Sequence, residues 1–118
     1  MLYDFEFSQS LDVLIIDLLG PSLEDLIKIY HKFSLKSVLM LAEEILKRIQ
    51  SIHESNFLFR DIKPENFLFA KDNYKELYII DYGLAVEVQP NLEKKPKEIT
   101  GTIGTRRYMS LSAHKKER

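Results

Sequence analysis

Arg60-Asp61-Ile62-Lys63-Pro64-Glu65-Asn66 is the stretch on which the reading of this 118-residue chain turns, and Asp81-Tyr82-Gly83-Leu84-Ala85 begins fifteen residues after Asn66. One short loop carries an acid, a lysine and an asparagine, and a second acid lies beyond an intervening hairpin. Asp61 follows the short apolar run Phe57-Leu58-Phe59, in a loop suited to presenting its carboxylate to a hydroxyl. Lys63 would point the same way and offset charge on a moving phosphoryl group. Asn66 offers a neutral oxygen to a hard cation, and Asp81 a charged one. Each residue alone has a bland explanation, since Asp and Asn favour turns and lysine favours surfaces. Together they form the set that phosphoryl transfer requires: a base, a cation on the phosphate and oxygen ligands for magnesium.

Working outward, the composition is that of a globular protein, 45% hydrophobic and 30% charged, and its length allows one domain at most. A net charge of -1 argues against a general nucleic-acid binder, which carries a basic excess. There is no cysteine, which excludes disulfides and thiolate metal sites and fits the cytosol or nucleus best. Asp12, Asp17 and Glu24 punctuate the most hydrophobic region, so no run suits a membrane span. Met1 to Glu6 lacks the basic start and apolar core of a signal peptide. Lys94-Lys95-Pro96-Lys97 reads as a solvated basic turn rather than a nuclear signal. His31, His53 and His114 are spaced too widely for a ligand cluster and read as structural or exposed.

Hydrophobic periodicity orders the rest. Leu2 to Phe7 alternates, with Tyr3, Phe5 and Phe7 on one face, and Leu11 to Leu18 is nearly continuous. Two strands are predicted, joined by Ser8-Gln9-Ser10 and ended by Gly20-Pro21. Ser22 opens a helix, with Asp25 placed to complete a capping box. Ser34 caps a longer helix running to about Glu54, whose stripe is Leu35, Val38, Ala42, Ile45, Ile49 and Ile52. Leu39, Leu41 and Leu46 widen that stripe beyond a coiled-coil seam, so a buried domain helix is predicted. Phe57 to Phe59, Asn66 to Ala70 and Leu77 to Ile80 read as short strands. Val86 to Tyr108 reads as one long functional loop without regular structure, and the polar end from His114 to Arg118 as frayed.

The two opening stretches follow the order and spacing of the protein-kinase signature, H-R-D-x-x-x-x-N and then D-F-G. More closely, the chain resembles the casein kinase I family. Leu18-Leu19-Gly20-Pro21-Ser22-Leu23-Glu24-Asp25-Leu26 is similar to that family's hinge and following helix, as are Lys32-Phe33-Ser34-Leu35-Lys36, Asn56-Phe57 and Pro64-Glu65-Asn66-Phe67-Leu68 to later segments. Gly104-Thr105-Arg106-Arg107-Tyr108 resembles its G-T-x-R-Y, and Ser110-Leu111-Ser112-Ala113-His114 its S-x-N-x-H. The likeness spans almost the whole chain.

The resemblance implies an α+β, protein-kinase-like fold and transfer of phosphate from ATP, with Mg2+, to serine or threonine of protein substrates near acidic or already phosphorylated positions. Asp61 and Lys63 would be catalytic, and Asn66 and Asp81 would hold the metal. Asp17 and Leu19 would offer backbone groups to the adenine edge beside the gatekeeper Ile16. Ser22 and Asp25 would lie near the ribose, although a helix cap explains them equally well. Leu68 and Ile80 would form the floor under the base, or ordinary core. Arg107, with Arg60, would read the substrate's acidic or phosphorylated side chain, and Thr105 would hold the loop against Asp61 and Lys63. Thr100-Gly101-Thr102 nearly duplicates Ile103-Gly104-Thr105; the following Arg107-Tyr108 favours Thr105. Two residues depart from the signature: Phe59 replaces its histidine and Tyr82 its phenylalanine.

A kinase also needs a Gly-rich loop over the phosphates and a strand lysine paired with a helix glutamate. Here the first glycine is Gly20 and the first lysine Lys28, both after the hinge. The chain therefore reads as part of a catalytic domain: late N-lobe strands and hinge over 1–19, the first half of the helical C-lobe over 20–85, and the activation segment over 86–110. By itself it is expected to fold poorly and to have little or no activity, its partners including the missing lobe segments. The alternative expectation is a short, inactive chain that competes for a kinase's partners.

Overall fold

The computed structural model describes residues 3–7, 11–88 and 103–115. Tyr3–Phe7 (β1) and Leu11–Ile15 (β2) pair antiparallel, with Tyr3 opposite Ile15 and Phe5 opposite Val13. The apolar run predicts a strand to Leu18, but β2 ends at Ile15, and Ile16 to Pro21 has no regular structure. The end of this connection is bound elsewhere. The Gly20 N–H donates to the Phe69 carbonyl at 2.8 Å, the Phe69 N–H donates to the Pro21 carbonyl at 3.1 Å, and Ser22 bridges Leu68. A side chain at position 20 would bring a Cβ within 2.9 Å of the Ala70 carbonyl oxygen, so only glycine permits this docking.

Leu23–Tyr30 (α1) starts where Ser22 stops the extended chain. The Ser22 hydroxyl accepts from the Asp25 N–H at 3.1 Å, while Asp25 Oδ2 accepts from the Ser22 N–H at 3.0 Å and from its hydroxyl at 2.6 Å. Two otherwise unpaired donors of the first turn are thereby satisfied. The helix ends at His31, in the left-handed conformation with φ 62°.

Leu35–Glu54 (α2) is capped by Ser34, whose hydroxyl accepts from the Ser37 N–H at 3.1 Å. Its packed face is Leu41, Ile45 and Ile49, seated on the buried Leu23, Phe67 and Leu77. This corrects the predicted stripe: Leu35 is 75% and Val38 46% exposed, and Ala42 is exposed as well. Successive steps of four carry the contact row through Leu41, and the first turns of the helix project beyond the hairpin they would need to cover.

Phe57–Leu58 (β3) follows, then Phe67–Phe69 (β4) and Leu77–Ile79 (β5), an antiparallel hairpin with Phe67 opposite Ile79 and Phe69 opposite Leu77. Val86–Glu87 (β6) pairs with β3, Phe57 lying opposite Glu87. That pairing corrects the reading of Val86 onward as a loop without regular structure. A two-residue strand carries too short a pattern to read locally, and its partner is distant in sequence. Arg106–Tyr108 likewise forms a turn of 3-10 helix, and Leu111–Lys115 (α3) is a short helix that includes the first two residues of the end expected to fray; the rest of that end lies outside the described residues. The Ser110 hydroxyl starts α3 by accepting from the Ala113 N–H at 3.2 Å. Residues 89–102 and 116–118 lie outside the described set, including Thr102 and the basic turn at 94–97.

The fold is α+β, with the β4–β5 hairpin between α1 and α2. Among the described residues only Leu23, Phe59, Phe67 and Leu77 are buried apolar side chains. So small a core leaves little margin, and caps matter. Ser22→Ala is expected to cost about 1 kcal/mol, or about fivefold in opening of the first turn of α1. Hydrogen exchange of the Asp25 amide reads this directly, with the Ala70 amide in the hairpin as the unaffected control.

Candidate active site

β3 delivers the chain to Phe59, which is 1% exposed, and the next residue turns sharply: Arg60 has φ 67°. A left-handed arginine is strained unless its surroundings hold it. Here the Arg60 Nε donates to the Leu84 carbonyl at 2.6 Å. The turn sends Asp61 inward to 5% exposure.

The Asp61 carboxylate is the hub of the site. Its Oδ1 accepts from the Thr105 N–H at 2.9 Å and from the Thr105 hydroxyl at 2.8 Å. Its Oδ2 lies 2.7 Å from the Lys63 ammonium and accepts from Asn66 Nδ2 at 3.3 Å. Asn66 Nδ2 also donates to the Asp61 carbonyl at 2.9 Å, fixing the amide's orientation and closing the loop on itself. Pro64 opens the short 3-10 turn of Pro64–Asn66 that brings Asn66 back to Asp61.

Burial pushes the Asp61 carboxyl up, but the Lys63 ammonium and both Thr105 donors outweigh it and hold the group below the ordinary range. Lys63 is raised, chiefly by its hydrogen bond to Asp61 and further by the charges of Asp81 and Glu65. Asp81 begins the turn of Tyr82–Leu84 in a left-handed conformation, φ 63°, with its carboxylate exposed and one oxygen 3.4 Å from the Gly83 N–H. The Ile80 N–H donates to the Asn66 carbonyl at 3.0 Å, which ties the approach to Asp81 to the loop.

Magnesium fits this donor set. Asn66 Oδ1 has no hydrogen-bond partner among the described residues, and the Asp81 carboxylate is nearly unencumbered. Both are hard oxygen donors, one neutral and one charged.

Other residues named from the sequence stand apart from this hub. Ser22 and Asp25 are engaged with each other in the α1 cap. Leu68 and Ile80 are half-buried on the hairpin, Leu68 bridging to Ser22, while Ile16 and Asp17 are exposed and Leu19 half-buried. Arg107 is exposed, with its guanidinium 5.8 Å from the Tyr108 ring. Arg60 spends one donor on Leu84. The sequence reading missed a depression of about 200 Å3 beside Asp61 and Thr105, walled by Ile62, Ile103, Tyr108 and Met109. Isolated apolar residues in loops carry no periodic signal, so only the fold assembles this wall. The two departures from the signature meet: Phe59 and Tyr82 stack edge to face, centroids 5.5 Å apart at 74°.

Because the folded state lowers the pKa of Asp61, its contribution to stability is present above the ordinary value of 3.8 and is lost as pH falls through the depressed one. The stability difference between wild type and Asp61→Asn should therefore be constant near neutrality and shrink below about pH 4. Parallel stability curves down to about pH 2 would contradict this.

The comparisons with known proteins agree with the geometry. The sequence matches the protein kinase domain family over residues 2–112. It is 44% identical over 110 residues to casein kinase I homolog 1 of Schizosaccharomyces pombe, an alignment covering 87% of this chain and 25% of that protein. The chain thus spans about a quarter of the length of that curated relative. It belongs to the protein kinase family and is of the casein kinase I type.

Proposed function

We propose that this chain carries the catalytic loop, metal ligands and activation segment of a serine/threonine kinase that transfers the γ-phosphate of ATP to protein substrates near acidic or already phosphorylated positions. The observation that supports it most is the Asp61 carboxylate, kept anionic in a buried position while bonded to Lys63 and Thr105.

A carboxylate has about four acceptor positions. Thr105 occupies Oδ1 twice, and Lys63 and Asn66 share Oδ2. A substrate hydroxyl must therefore replace a partner on Oδ2. Lys63 is the one to yield: its stem is flexible and a phosphate competes for its ammonium. Asp61 then accepts the hydroxyl proton as the oxygen bonds to the γ-phosphorus and the bond to the departing ADP oxygen breaks. Lys63 offsets charge on the transferred group, and Asn66 with Asp81 would hold Mg2+, which would neutralise the phosphates. Ile16, Asp17 and Leu19 receive the adenine from the hinge, with Leu68 and Ile80 beneath it, and Arg107 meets the substrate's anionic side chain.

A second reading has its own support. Within these residues nothing supplies a Gly-rich loop or strand lysine, since Gly20 and Lys28 come first. The 118 residues alone would then bind a kinase's partners without catalysing.

The test is transfer from MgATP to an acidic serine peptide and its primed form, by this chain alone and joined in frame to a kinase N-lobe with both missing elements and to the remaining helices of a kinase C-lobe. Transfer is expected from the joined protein, preferring the primed peptide, and is expected to fall at least about 100-fold in Asp61→Asn. The chain alone should transfer nothing measurable. Undiminished transfer by Asp61→Asn would exclude Asp61 as the base. Absence of transfer by a folded joined protein would favour the binding reading.

A further inference from the structure

Gly104 takes no part in the chemistry above, yet its place is closely specified. Its φ is +93°, a region that strains residues bearing a Cβ. A Cβ there would lie 2.7 Å from the Arg60 carbonyl oxygen and 3.7 Å from Asp61 Oδ1. The nearer obstacle is backbone, so it cannot swing aside as a side chain could. Nor is that backbone free to relax. Arg60 sits at φ 67° with its Nε on the Leu84 carbonyl, and its carbonyl leads directly into Asp61.

Thr105 follows at once, and its two donors converge on one oxygen, Asp61 Oδ1. In this structure both donors reach that buried atom with the preceding residue lying against the catalytic loop. We infer that Gly104 is a positioning residue: its bare Cα lets the chain pass against the Arg60 carbonyl, and this approach seats Thr105 on Asp61. Arg60 is thereby engaged at both described flanks of the segment, by its side chain at Leu84 and by its carbonyl at Gly104. A methyl at 104 would separate the far flank from the loop, leaving the near one attached.

The inference rests on the proposed function only for its kinetic consequence; the contact is testable without phosphoryl transfer. The experiment is amide exchange and proton NMR on the 118-residue chain, joined in frame to the missing kinase lobe segments so that it folds, and on its Gly104→Ala, Thr105→Ser and Thr105→Val variants. In the unmodified chain the Thr105 amide should be protected and shifted downfield by its bond to a carboxylate. Gly104→Ala should accelerate its exchange at least about tenfold and remove the shift, leaving the Gly20 and Ala70 amides as they were. Thr105→Ser should keep the signature, Thr105→Val should weaken it, and Gly104→Ala combined with Thr105→Val should do no more than Gly104→Ala alone. An unchanged Thr105 amide in Gly104→Ala would overturn the inference, as would free exchange at Thr105 in the unmodified chain. Loss of the Gly20 and Ala70 protection in Gly104→Ala would overturn it too, because the glycine would then support the fold at large. A chain that shows the expected pattern but transfers no phosphate when completed would count against the functional reading alone.

Discussion

One buried anion organises the functional end of this molecule. Taking a carboxylate out of water costs several kcal/mol unless donors replace the lost hydration. At 5% exposure Asp61 receives those donors from its own loop, through Lys63 and Asn66, and from the far flank of the activation segment, through Thr105. Each donor is short-range and directional, so satisfying the anion fixes the relative position of segments 44 residues apart. The left-handed turn at Arg60 is a local strain, and the bare Cα of Gly104 a local clearance, that this arrangement requires. The same bonds keep the carboxyl ionised, as a proton acceptor must be.

The scaffold serves this loop at two points. The β3–β6 pair delivers Phe59 to the core immediately before the turn, and the hairpin ties Asn66 to Ile80 immediately before Asp81. Phe59 and Tyr82 stack across the gap between the two acids' segments. Since both depart from the signature and touch, a change at either is felt by the other. The remainder of α2 is less well served. Its first turns leave Leu35, Leu39 and Met40 exposed while Ile45 and Ile49 pack, so the helix is longer than the hairpin it covers.

Local chemistry was legible in the sequence wherever it was dense. Asp61, Lys63 and Asn66 lie within six consecutive residues, and the structure joins them by direct bonds. The Ser22 and Ser34 caps were equally readable, because a cap is settled within four residues. Relations between distant backbones were not. No pattern announces that Gly20 gives its N–H to Phe69, that Val86 and Glu87 pair with β3, or that Gly104 abuts the Arg60 carbonyl. Glycine reports only that a side chain is unwelcome, without saying what would collide with it. The choice between Thr102 and Thr105 turned on two neighbouring residues; the structure puts Thr105 on Asp61, while Thr102 lies outside the described residues.

The chemistry of the site depends on Lys63 and Thr105 outweighing burial at Asp61. Carbon-13 NMR of the Asp61 carboxyl, followed through acid titration with Asp61→Asn as the assignment control, measures that balance directly. The expected midpoint lies below 3.8, leaving the group anionic throughout the range in which a kinase works. A midpoint above that value would mean that desolvation prevails, and that Lys63 and Thr105 do not hold this carboxylate as the account requires.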